Sequence, residues 1–308
     1  MDPGQLRLLA LIGRHGSMAA TAEALGLTPA AVTQQVARAE RELGTRLVHR
    51  GPRGASLTAA GELLSGYGHS IDAATAEAAD RLDALRGRLS VRLRIGAFQA
   101  AALRLLPPAL TTLRHRFPDA DLSVTDIRSD QGVDEVAAGR LDMAVLAAWD
   151  EPLAGTERVA VHRLMRDPMV LVLPDDHALA AAVPAGAALG LDRLGAESWV
   201  TIRAGHAARA QFDRAAAAAG FAPRVRFETE SYDVAQALVG TGFGVALVSR
   251  LALIAAPGTT HREVTSPGLH RDVFAVTAAD SGATPLVGVF LGLLHDVAAD
   301  ITAGWPER

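Results

Sequence analysis

The sequence predicts an α/β protein in two unequal parts. The N-terminal part is an all-α-dominated winged helix-turn-helix, and the C-terminal part is a two-lobed, doubly wound α/β domain. Three observations predict this. Residues 5–43 carry apolar residues at helical steps, interrupted at Gly16 and Gly26 and closed by Gly44. Residues 59–88 form one long stretch with an apolar residue at every third or fourth position. Beyond residue 91, short apolar runs alternate with helical segments, the pattern of strand–helix–strand units. A chain of 308 residues is long enough for about two domains. The expected bounds are 1–58, 59–90 and 91–308, with lobe I at 91–161 and 269–308 and lobe II at 162–268.

The first element is a helix, Gln5 to Arg14, with Leu6, Leu8, Leu9, Leu11 and Ile12 apolar. Ser17 caps a short helix from Met18 to Leu25, and Gly26 makes the tight turn after it. Thr28 caps the next helix, and Pro29 sits at its start, where a missing N–H is harmless. This second helix runs from Ala30 to Leu43 and should turn Ala31, Val32, Val36, Ala39 and Leu43 inward. Thr33, Gln34, Gln35, Arg38 and Arg41 are left outside. Such a helix has the width of a DNA major groove. Its glutamines match adenine edges, and its arginines match phosphate or guanine. Residues 46–58 then read as a short hairpin, or wing, with Arg50 and Arg53 beside a Gly/Pro turn; the plainer reading is a solvated hairpin.

Charge agrees with this division. All 30 basic residues are Arg, there is no Lys and no Cys, and the net charge is −4. Residues 1–58 nevertheless hold seven Arg against four acids, so the head is basic on an acidic body. Without Lys there is no P-loop and no Schiff-base lysine. Without Cys there is no thiol nucleophile, disulfide, iron–sulfur cluster or Cys-ligated zinc. Alanine makes up roughly a fifth of the chain, and with the all-Arg usage this reads as genomic composition. The ten His are scattered and show no metal-ligand spacing with a carboxylate partner. Neither a secretory signal nor an uninterrupted apolar span of about 18 residues is visible, so the cytoplasm is the expected place.

The residues from Gly16 to Leu25, then Val32-Thr33-Gln34-Gln35-Val36, Glu40, Leu43-Gly44-Thr45-Arg46-Leu47, Arg50 and Leu57-Thr58-Ala59-Ala60-Gly61 resemble the LysR-type transcriptional regulator family. The resemblance covers residues 4–61 without a gap. It implies a ligand-responsive, sequence-specific DNA-binding regulator acting on double-stranded promoter DNA. The DNA-facing residues it points to are Ser17, Thr28, Pro29, Ala30, Thr33, Gln34, Gln35, Arg38, Arg50 and Arg53. The recognition helix departs from the Ser-Gln-Pro start common in the family, since Thr28-Pro29-Ala30 stands there. Gln34 also stands where Arg is common, and Ala39 where Leu is usual, so the operator sequence does not follow.

The next stretch reads as a linker helix from Thr58 to about Arg88, with Leu64, Tyr67, Ile71, Ala74, Ala78, Leu82, Leu85 and Leu89 on one seam and Gly66 and Gly68 as weak points. With nothing of its own to pack on, such a helix reads as a dimer interface, antiparallel in the family it resembles. The resemblance implies a homo-oligomer, a dimer or tetramer. The alternative is packing against its own chain.

In the body, strands are expected at Val91–Gly96, Leu122–Asp126, Leu141–Leu146, Met169–Leu173, Trp199–Ile202, Val225–Thr229, Gly244–Val248 and Val273–Thr277. The helix after the first strand should run to Leu113 with a bend at Pro107-Pro108, and the last helix from Leu286 to Thr302. Two such lobes resemble the effector-binding domain of the same family, itself similar to periplasmic solute-binding proteins. The local marks are Arg94-Ile95-Gly96, Leu106-Pro107, Phe117-Pro118, Gly139-Arg140-Leu141-Asp142 and Gly242-Phe243-Gly244-Val245. Ligands in open parallel sheets sit beyond the carboxyl ends of strands. That rule selects Phe98, Gln99 and Ala100, then Ser129, then Thr201 and Arg203, then Ser231, as contacts for a small, anionic effector with Arg203 as charge partner. The plainer reading makes Phe98 core, the serines caps, and Arg203 the partner of a surface acid. Gly240-Thr241-Gly242-Phe243-Gly244 is not a nucleotide loop, because it follows a helix and precedes a strand. No catalytic cluster, metal set, cofactor or membrane partner is expected. The rival is a two-lobed binding protein or enzyme with an unrelated head.

Overall fold

A computed structural model describes residues 2–51, 54–85, 92–149, 153, 155–184, 187–266, 268–279 and 285–305. Arg53, the end of the linker seam at Leu89 and the start of the first body strand at Val91 lie outside the described residues.

The head begins earlier than expected. Helix α1 spans Pro3–His15, because Asp2 and Gln5 form a reciprocal cap: Gln5 N donates to Asp2 Oδ1 at 3.0 Å and Asp2 N donates to Gln5 Oε1 at 2.8 Å. Helices α2 (Met18–Leu25) and α3 (Pro29–Leu43) start at Ser17 and Thr28, whose hydroxyls accept from Ala20 N and Ala31 N. Gly16 and Gly26 close the first two helices at φ 61° and 65°, a left-handed backbone that favours glycine. Leu8, Leu9, Ile12, Ala22, Val32, Val36, Ala39 and Leu47 form the core. Leu43 does not join it: it is 39% exposed, since α3 has already run past the core at its last residue. Ala31 is only half-buried.

Strands β1 (Val48–Gly51) and β2 (Gly54–Leu57) pair antiparallel as a hairpin. Helix α4 (Ala59–Leu85) follows, and its first half packs on α1, against the expectation that it has nothing of its own to pack on. Arg7 pairs with Asp72 at 2.6 Å and donates to Thr75 Oγ1 at 2.7 Å. Gly68 is therefore a close-approach glycine, not a weak point, because a Cβ there would sit 2.2 Å from Leu6 O. At Gly66 a Cβ would meet nothing within 4 Å. The two glycines should respond oppositely to substitution. Gly66→Ala should raise the melting temperature slightly through helix propensity, by about 1 kcal/mol. Gly68→Ala should lower it, by about 2 kcal/mol, as overpacking against fixed backbone does. Far-UV circular dichroism melts of the two variants check this; equal shifts would mean that α1 and α4 do not pack closely.

The body is built on a mixed sheet, where a parallel one was expected. Lobe I orders β4 (Asp121–Asp126), β3 (Arg92–Ala97), β5 (Met143–Ala148), β12 (His270–Ala278) and β6 (Val159–Pro174). Lobe II orders β9 (Arg224–Thr229), β8 (Ser198–Ile202), β10 (Ala246–Ser249), the far half of β6, β11 (Thr259–Thr265) and β7 (Ala188–Gly190), with β8 joined to the β10 segment by backbone hydrogen bonds at Val245. The β3–β4, β3–β5, β8–β9 and β7–β11 pairs are parallel. Every pair involving β6 or β12 is antiparallel. The first half of β6, all of β7 and β11, and the short helix α8 (Ala178–Ala182) were not anticipated, because their apolar runs are short or interrupted by charge.

After β3 the single bent helix is instead two, α5 (Gln99–Arg104) and α6 (Leu106–Arg116), parted at Leu105, with Pro107 and Pro108 in the first turn of α6. Helices α7 (Gly132–Ala137), α9 (Ala207–Ala218), α10 (Tyr232–Gly240) and α11 (Pro285–Ala303) complete the body. Helix α11 has the length and apolar character of a membrane span, but it turns Leu286, Val287, Phe290, Leu293, Leu294 and Ala298 into the lobe I core. Two of the sequence marks meet here: Arg94 holds Asp142 with both Nε and Nη2, at 3.1 and 2.8 Å.

Candidate nucleic-acid interface and effector cleft

The outer face of α3 presents Ala30, Gln34, Gln35, Arg38 and Arg41 to solvent, with Thr33 half-buried beside them. Thr28 and Pro29 are exposed at the start of the helix, and Ser17 is half-buried at the start of α2. Arg38 is engaged by an acid on its own helix. Its Nε donates to Glu42 Oε1 at 2.9 Å, and this bond, with a second from Gln5, holds the Glu42 carboxyl below the usual range. The pair is solvent-exposed, so it is weak and opens easily to another anion.

The wing is moored to the helices at two points. Glu40 Oε1 accepts from Leu47 N at 2.9 Å and Val48 N at 3.3 Å, tying α3 to β1. Gly16 O accepts from Ala55 N at 2.8 Å, tying α1 to β2. Glu40 was noted in the sequence as part of a motif, and its structural work is this double acceptance. Arg50 lies in β1 opposite Ala55; its side chain, like Arg53, is outside what the structure describes.

In the body, the selected loops do follow strand ends: Phe98–Ala100 follows β3, Ser129 lies beyond β4, Thr201 and Arg203 lie at the end of β8, and Ser231 follows β9. Gln99 Nε2 donates to Ser231 Oγ at 3.3 Å, so loops of the two lobes meet. Ser129 Oγ accepts from Ala147 N at 2.9 Å, fixing its loop to β5. Thr201 is buried, and its hydroxyl accepts from Arg209 Nη1 at 3.2 Å. Ala100 is turned the other way, with its methyl buried in the lobe I core. Arg203 pairs with Glu230 at 2.9 Å. The cation expected to receive an anionic effector thus already has a carboxylate. The same holds for Arg128, whose hydrogen bonds lower the pKa of Asp130.

Sequence reasoning missed the group at the centre of this region. Arg271 and Asp167, 4% and 0% exposed, form a buried ion pair at 2.8 Å where β12 and β6 pass between the lobes. Asp167 Oδ1 also accepts from Leu251 N at 2.9 Å, and Arg271 Nη2 donates to Ser249 Oγ at 2.7 Å. The Arg271 guanidinium lies over Phe98, Trp149 and Tyr232, at 4.6, 5.3 and 6.0 Å from the ring centres. Phe98 is therefore a half-buried wall of this cluster. Only its place after β3 gave a sequence signal; nothing local marks Arg271 or Asp167 as buried. Among the described residues no group of three or more His, Asp or Glu is placed to hold a metal.

A winged helix-turn-helix with an exposed, polar second helix, joined by a long helix to a two-lobed ligand-binding fold, defines a DNA-binding transcriptional regulator with an effector-binding domain. Residues 3–62 match the family model described as bacterial regulatory helix-turn-helix protein, lysR family, and residues 86–299 match the LysR substrate binding domain. The chain belongs to the LysR family. It is similar to the probable HTH-type transcriptional regulator LrrA of Synechococcus elongatus, at 27% identity over 98% of this chain and 99% of that one. It is also 30% identical to a probable RuBisCO transcriptional regulator of Cyanophora paradoxa, over 81% of this chain and 76% of that one. Its fold is similar to that of a full-length OxyR variant of Pseudomonas aeruginosa (TM-score 0.71, 20% identity, 97% and 94% of the chains covered). CbnR, a LysR family transcriptional regulator, shares the fold at TM-score 0.66 and 20% identity, over 97% and 99% of the chains.

Proposed function

We propose that this protein, a non-enzymatic regulator of the cytoplasm, reads promoter DNA through α3 and answers to a small molecule held between its two lobes. The observation that carries the first half is the outer face of α3. Gln34, Gln35, Arg38 and Arg41 are all exposed on one helix of major-groove width, beside a hairpin moored to that helix by Glu40. Thr28, Pro29, Ala30 and Thr33 lie at or near the start of the same helix, Ser17 starts α2, and Arg50 and Arg53 belong to the wing, where they meet backbone and minor groove. The fold of CbnR, solved with its target DNA, supports this use of the head. The exposed Tyr67 and Ala74 on α4 support a homodimer through the linker helix, and a tetramer through further pairing. The effector contacts are Phe98, Gln99, Ser129, Thr201 and Ser231, with Arg203 and the backbone at Ala100 at the rim.

A gel shift of the full chain on its own upstream DNA tests the reading. Retardation at low salt that weakens steeply between 50 and 200 mM salt, with preference over random DNA, is the expected result. Indifference to DNA at low salt would favour the two-lobed binding protein with an unrelated head.

A further inference from the structure

One row of α3 runs Ala30, Gln34, Arg38 and Glu42, four residues apart and so neighbours along the helix surface. The row that carries a base-reading glutamine therefore ends in an acid. A carboxylate on a face that meets phosphate opposes binding unless its charge is used.

Glu42 is held from two sides. Its Oε1 accepts from Arg38 Nε at 2.9 Å, and its Oε2 accepts from Gln5 Nε2 at 3.2 Å. Gln5 is 6% exposed, and its amide oxygen accepts from Asp2 N at 2.8 Å. The amide that caps α1 thus also grips the carboxylate at the end of α3. The Arg38 side chain is 69% exposed, against 35% for Glu42. Arg38 is gripped at Nε, the donor nearest its stem, and among the described residues its two Nη groups have no protein partner.

A guanidinium is planar, so holding Nε sets the plane in which both Nη donors lie. Such a fork fits two acceptors side by side, either a guanine edge or a pair of phosphate oxygens. It stands one helical turn, about 6 Å, beyond Gln34. A released arginine would instead turn to whichever phosphate is near, and that adds affinity for every sequence alike.

We infer that Glu42 is a positioning residue for DNA recognition: anchored by Gln5, it fixes Arg38 so that its Nη fork meets one bidentate acceptor at one register of the operator, and it keeps that arginine from serving random phosphates. This rests on the reading of α3 as the recognition helix and adds to it the work of Gln5 and Glu42.

Gel shifts of the full chain on a duplex of its own upstream DNA and on a random duplex of equal length test it. Glu42→Ala keeps a good helix former at the position and releases Arg38. Affinity for the random duplex should rise about threefold, with a salt slope steeper by about one, while affinity for the upstream duplex falls about threefold. The ratio between the two should therefore drop about tenfold. Glu42→Asp should restore most of the ratio, since its carboxylate still lies one turn from Arg38. Arg38→Gln should cost the upstream duplex about tenfold and leave the random one nearly unchanged; it serves if Glu42→Ala fails to fold, as judged by far-UV circular dichroism. Base pairs of the upstream duplex replaced one at a time then identify the acceptor. A guanine shows as one pair whose replacement costs the wild type but not Arg38→Gln, and a phosphate shows as none. An unchanged ratio in a folded Glu42→Ala, or an equal loss on both duplexes in Arg38→Gln, would overturn the inference. A wild type that ignores both duplexes brings down the regulator reading itself, whereas a discriminating wild type with an equally discriminating Glu42→Ala brings down this inference alone.

Discussion

Asp167→Ala should lower the stability of the body by about 3–5 kcal/mol, the loss seen when one member of a buried ion pair is removed. The variant strands Arg271, 4% exposed, without its carboxylate, and takes the acceptor from Leu251 N as well. The stacked rings of Phe98 and Trp149 cannot neutralise a charge, so they recover little of the loss. Urea unfolding followed by tryptophan fluorescence is the measurement. Trp149, Trp199 and Trp305 all lie beyond the linker, so the signal reports on the body alone. The double variant Asp167→Leu with Arg271→Met should be much less damaging than the single one, since it leaves no buried charge. A single variant within 1 kcal/mol of wild type would show that water reaches Arg271.

The second large effect concerns specificity. Replacing Gln34 and Gln35 together by Ala should weaken binding to the cognate operator by about a hundredfold, given about 1–3 kcal/mol for each lost base-edge pair. Affinity for random DNA should hardly change, and the dependence of affinity on salt should keep its slope, because no phosphate contact is removed. Both side chains are exposed, so the fold of the head should be unaffected. Competition gel shifts at one fixed salt concentration measure the ratio. Equal losses on operator and random DNA would mean that these glutamines do not read bases.

The head was largely legible because its signals are local. Ser17, Thr28, Gly16 and Gly26 each punctuate the backbone within a turn of the residue they control. Even the early start of α1 was written in Asp2 and Gln5, a reciprocal cap three residues apart that sequence reading passed over. The strand-end loops of the body were also legible, since β3, β4, β8 and β9 are apolar or alternating runs followed by helices. What those loops face was not. Arg271 meets Asp167 across 104 residues of sequence, and Arg203 meets Glu230 between two strand ends; neither pairing leaves a local trace. The close contact of α1 with α4 was hidden for a related reason: glycine in a helix reads as weakness until the opposing backbone is seen.

The threading of the two lobes has a consequence for how the protein is made. Strand β12 lies between β5 and β6 in the sheet, yet all of lobe II apart from the far half of β6 is encoded between β6 and β12. During synthesis, β3, β4 and β5 emerge early and can pair with one another, but β5 lacks its outer neighbour until residues 270–278 have left the ribosome. Lobe II by then has nearly its full complement of strands. The lobe that begins the domain is therefore the one finished last, and β12 and α11 close a sheet edge that waits exposed while more than a hundred residues are added.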